Sequence, residues 1–185
     1  MKTMLGLNEF ELDIARSVIL SRLISEWGAP VSRKIFAFES VKLAEIYVFE
    51  TDGLVRLCSI GGYRLKSAKE LLCVFDSRDE KYNLALAIRI ISDALQYMFN
   101  SDEVIVLPRV VKFHVSDIEQ RLLLFDEARG ESESVSLINL NGIEVEIVWV
   151  VELKKSEFNF INEKGMERFD RKVDEGVINL LKISR

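Results

Sequence analysis

Asn141-Gly142 sits between two apolar runs, Val135 to Leu140 and Ile143 to Leu153, and an Asn-Gly pair supplies the two positive-φ residues that a two-residue hairpin turn requires. No other short pattern in the chain constrains the fold as strongly, because it commits both flanking runs to antiparallel strands. In the second run Ile143, Val145, Ile147, Trp149 and Val151 fall on one face, since strand side chains alternate. Glu144 and Glu146 fall on the other, and Val148 and Val150 then make the far half apolar on both faces. A second turn, Thr51-Asp52-Gly53, joins Val41 to Phe49 with Leu54 to Ile60, and Ile35 to Phe38 precedes them as a further strand. Gly61-Gly62 breaks that series. Glu70 to Phe75, Val104 to Leu107, Val110 to Val115 and Arg121 to Phe125 carry the remaining strand character, being short apolar runs rich in β-branched and aromatic residues.

Two longer segments have helical periodicity. Asn8 to Trp27 repeats Leu12, Ala15, Ile19, Leu23 and Trp27 at steps of three and four, with Asn8 and Glu11 spaced as in a capping box and Gly28-Ala29-Pro30 as its stop. Tyr82 to Asn100 repeats Leu84, Ile88, Ile91, Leu95 and Met98. Shorter helices are expected from Ser156, as N-cap, to Lys164, with Gly165 ending the helix, and from Met166 to Val173. Asp126 to Ser134 is polar, without a large apolar residue, and reads as an exposed loop. With only Pro30 and Pro108 there is no proline-rich linker. The expectation is one α+β domain spanning residues 1–185, with two long helices packed on a mainly antiparallel mixed sheet.

Composition narrows the function classes. The chain is 49% hydrophobic and 30% charged, far from the apolar-poor signature of disorder. Arg22, Glu26, Arg89 and Asp93 interrupt the two longest apolar stretches, so no membrane span is expected. Glu9, Glu11 and Asp13 follow the first residues at once, unlike a signal peptide, and the expected location is the cytoplasm. The net charge of −5 is uneven: +1 over residues 1–75, −8 over 76–153 and +2 over 154–185. An acidic middle disfavours nucleic acid, whose binding draws on Lys and Arg at phosphates, and suits a basic protein instead.

Candidate chemistry is sparse. The single histidine, His114, lies in a strand opposite the Val111, Phe113 and Val115 face, with no partner for a nucleophilic triad. Cys58 and Cys73, both in apolar surroundings, read as buried free thiols. Residues 126–133 lack the alternating acids and central glycine of a calcium loop, and Gly61-Gly62-Tyr63 lacks the rest of any phosphate-loop signature. Glu144 and Glu146 share a strand face as an ordinary solvated pair. A residual enzyme reading would rest on Glu70, Asp76 and the central acids meeting in a cleft. The expectation is a binding protein with no catalytic residue, cofactor or metal.

Three blocks resemble the suppressor-of-fused family over about Leu43 to Phe169. They are Asp52-Gly53-Leu54 through Gly61-Gly62-Tyr63 to Glu70-Leu71-Leu72; the helix from Tyr82 with Val104 to Pro108 and Leu122-Leu123-Leu124-Phe125; and Val148-Trp149-Val150-Val151 leading to Ser156-Glu157 and Asn162-Glu163-Lys164-Gly165. The resemblance implies an immunity protein of the polymorphic-toxin or contact-dependent-inhibition kind, which neutralises a cognate toxin domain, often a nuclease, by occluding its active site. Its alternative within the family is a regulator that sequesters an endogenous protein such as a transcription factor. A toxin that holds phosphate is cationic, so the expected partner-binding residues are Asp76, Asp79, Glu80, Asp126, Glu127, Glu131 and Glu133.

Overall fold

The computed structural model describes residues 9–38, 41–65, 68–101, 104–114, 120–140 and 142–182. Its strands are β1 (Ser32–Phe38), β2 (Val41–Thr51), β3 (Leu54–Ile60), β4 (Lys69–Asp76), β5 (Arg109–His114), β6 (Gln120–Glu127), β7 (Leu137–Leu140) and β8 (Ile143–Glu152). Its helices are α1 (Glu9–Trp27), α2 (Glu80–Asn100), α3 (Glu133–Ser136), α4 (Lys155–Lys164) and α5 (Met166–Asp174). The strands form one mixed sheet in the order β1-β2-β3-β4-β8-β6-β5, with β7 also paired to β8. Among the described residues every pairing is antiparallel except β4 with β8, which runs parallel from Lys69↔Glu146 to Leu72↔Trp149. The α+β architecture and the mainly antiparallel sheet are as expected.

The two long helices cover opposite faces of this sheet. On one face Leu12, Ala15, Ile19, Leu23 and Trp27 of α1 meet Tyr47, Phe49, Cys58, Leu72, Val145, Ile147, Trp149 and Val151, joined by Ile161 of α4 and Phe169 of α5. On the other, Ala87, Ile90, Ile91, Ala94, Leu95 and Met98 of α2 meet Ile46, Val48, Leu57, Leu71, Cys73, Phe75, Leu123, Phe125, Val148 and Val150. Central strands such as β4 and β8 are therefore apolar on both sides, as strands covered twice must be. The α2 stripe is rotated from expectation. Leu84 and Ile88 are only half-buried, while Ala87 and Ala94 are fully enclosed, because small residues at the contact let a helix approach the sheet closely.

Other differences are local. Val104–Val106 enter no ladder, and the strand begins only at Arg109, after Pro108; Val115 lies outside the described residues, as does Asn8 of the expected capping box. Helix α4 is capped at Lys154 instead of Ser156, with Glu157 reaching back to accept the Lys154 N–H at 2.8 Å. Among the described residues no helix is long and apolar enough to cross a membrane.

Candidate partner-binding surface

The segment between β6 and β7 shapes the region where the sequence placed most of its candidate carboxylates. Both strands pair along the same side of β8, β6 with Val148–Glu152 and β7 with Ile143–Glu146, so residues 128–136 leave the sheet and return to nearly the same line. The excursion is not the free loop expected. Ala128 and Val135 are buried in the α1-side core, and α3 occupies its second half. Asp126 is buried, ion-paired to Arg129 at 2.7 Å. Burial pushes its carboxyl up, opposed by the Arg129 charge. Glu131 is enclosed as well: its carboxylate takes the Trp27 indole N–H at 2.8 Å and Arg56 Nε at 2.7 Å. The Arg56 guanidinium lies 5.6 Å from the Trp27 ring centroid. Asp126 and Glu131 are thus enclosed where the sequence led us to expect exposed side chains, Glu131 because the buried Arg56 and the Trp27 indole N–H need an acceptor and Asp126 through its pair with Arg129.

The remaining candidates separate. Glu127 and Glu133 are exposed. Asp76 is half-buried at the end of β4, and Arg78, through its side chain and backbone N–H, holds its carboxyl below the usual carboxylate range. The side chains of Asp79 and Glu80 lie outside the described residues. Three carboxylates not singled out in the sequence join the excursion. Ser134 Oγ donates to Glu26 of α1 at 2.6 Å. Arg129 pairs with Asp170 of α5 at 2.7 Å and also feels the charge of Asp174. Residues 41 and 108 apart in sequence are brought together here, a proximity that no sequence spacing carries.

Of the carboxylates on which a residual enzyme reading would rest, Glu70 and Asp76 sit at opposite ends of β4. Glu70 is fully buried at the end that faces Gly61-Gly62-Tyr63. Its carboxylate accepts the N–H groups of Gly61, Gly62 and Tyr63 at 2.8, 3.1 and 2.9 Å and the Ser59 hydroxyl at 2.5 Å. Burial still pushes it up to about 7. All its acceptor positions serve the chain itself, so this perturbed group braces a turn. His114 is exposed, its Nε2 at 3.0 Å from the Gln120 amide nitrogen. Cys58 and Cys73 are free and buried. Among the described residues no group of three or more His, Cys, Asp or Glu is arranged to hold a metal ion. Neither a family model nor a curated protein matches the chain.

Proposed function

We propose that this protein is an immunity-type inhibitor that binds a basic toxin domain through the acidic surface around residues 127–136. The observation that carries the reading is the convergence of Glu26, Glu127, Glu133, Asp170 and Asp174 from α1, β6, α3 and α5 about one structured excursion. A nuclease must present cations to hold phosphate, and carboxylates mounted on a rigid frame attract such a surface before contact. The suppressor-of-fused resemblance of the sequence supports the same class of function. In this reading the toxin's active site is covered by the bound domain, and no chemistry on the inhibitor is required.

The first test is copurification of the chain with the product of its neighbouring gene. Kinetics of that complex then address the surface. Glu127→Ser with Glu133→Ser is expected to slow association about three- to tenfold at low salt and to flatten its salt dependence, with dissociation little changed. An unchanged association rate places the interface elsewhere. Capture of an endogenous regulator instead of a toxin would favour the sequestering role.

A further inference from the structure

Helix α1 has a second face that is exposed among the described residues. Phe10, Ile14 and Val18 are exposed at 72%, 42% and 41%, and Ser17, Ser21 and Ser25 are exposed as well. At about 3.6 residues per turn, Phe10, Ile14, Ser17, Ser21 and Ser25 follow one line along the helix. That line is bulky and apolar in its first half and small in its second, at the three serines. Two of these hydroxyls are already bonded within the helix, Ser17 Oγ to the Asp13 carbonyl at 2.8 Å and Ser25 Oγ to the Arg22 carbonyl at 2.7 Å. The small half therefore presents little unmet polarity to whatever lies against it.

We infer that this face joins two copies of the chain through an antiparallel contact between their α1 helices about a two-fold axis. A two-fold interface must be complementary to itself, and this face is. In the antiparallel register Phe10 of one copy enters between Ser21 and Ser25 of the other, and Ile14 between Ser17 and Ser21, with both contacts repeated by symmetry. Glu11 and Arg22, both exposed, lie on one flank of the helix. The two-fold keeps flanks on the same side, so in this register Glu11 of each copy meets Arg22 of the other. A parallel arrangement would instead oppose Phe10 to Phe10 and carry the Glu11–Arg22 flanks of the two copies to opposite sides, where they cannot pair. The match between the two halves of one face selects a second copy as its occupant, since a foreign helix would need no such internal match. A single helix of about 28 Å covers less than the roughly 800 Å² per partner of a standard stable interface, so the dimer is reversible and concentration-dependent.

Sedimentation of the full chain over a range of concentrations reads this directly, with a monomer–dimer equilibrium expected. Glu11→Arg alone and Arg22→Glu alone each turn two attractions into two repulsions and are expected to weaken the dimer about tenfold. An equimolar mixture of the two variants is expected to recover the wild-type association, because the mixed dimer restores opposite charges at both positions. Both sites are exposed, and circular dichroism checks that each variant is folded. Glu127→Ser with Glu133→Ser should leave the dimer unchanged, which separates this surface from the proposed inhibitor surface. A wild-type chain that stays monomeric, single variants that associate as wild type, or a mixture no better than its components each overturns the inference.

Discussion

A carboxyl sealed from water is costly to ionise even when donors surround it, and Glu70 has four donors and no exposure. Burial prevails and lifts it from the ordinary 4.5 to about 7. Its folded value lies above its unfolded one, so the stabilisation is complete below about pH 4.5 and is lost as pH rises through 7, by about 3 kcal/mol. Urea unfolding from pH 4.5 to 8 is expected to show this decline in the wild type and not in Glu70→Gln. The variant should also be weaker by about 1–3 kcal/mol near pH 5, because an amide nitrogen replaces an acceptor among donors. Gly62 belongs to the same turn: a Cβ there would lie 2.2 Å from the Lys69 carbonyl oxygen. The sequence marks Gly61-Gly62 as a strand break. It does not mark Glu70 as the residue that holds the break, because a glutamate starting an apolar strand looks like any strand end.

At the scale of elements, the segment from Asp126 to Ser134 teaches most. Its composition matches a solvated loop, yet Glu131 ties the end of α1 to β3 through Trp27 and Arg56. Glu131→Ser is expected to cost about 3 kcal/mol, since it strands a buried guanidinium, whereas Glu127→Ser and Glu133→Ser should each stay within about 0.5 kcal/mol. Chemical denaturation of the three variants decides between brace and surface. The helices were far more legible. All five apolar positions read for α1 are buried, because a single periodic stripe facing one sheet is a local property. In α2 the stripe's centre moved onto Ala87 and Ala94, since depth of packing depends on the opposing strands as well as on hydrophobicity.

For the whole molecule the decisive junction is β4 with β8, the one parallel pairing among the described residues and the joint between the β1–β4 and β5–β8 portions of the sheet. Beyond Leu72 and Trp149 their pairing ends, and Leu180 is buried in the opening beside Val74 and Val151. The Leu181 carbonyl also accepts the Asp76 N–H at 3.3 Å. Leu180→Ala is expected to lower stability by about 2–4 kcal/mol, and calorimetry should show this as a lower Tm of a single transition if the segment is part of the common core. By itself the sequence determined the hairpins at Asp52-Gly53 and Asn141-Gly142, both long helices, the alternating faces of β8 and the buried thiols, because turn chemistry and periodicity act over a few residues. Only the tertiary structure decided that α1 and α2 cover opposite faces, that β4 meets β8 in parallel, and that Asp126 and Glu131 turn inward while Glu26, Asp170 and Asp174 gather outside. Those outcomes depend on which distant groups become neighbours, and a carboxylate's role follows from the cations and donors the fold places beside it.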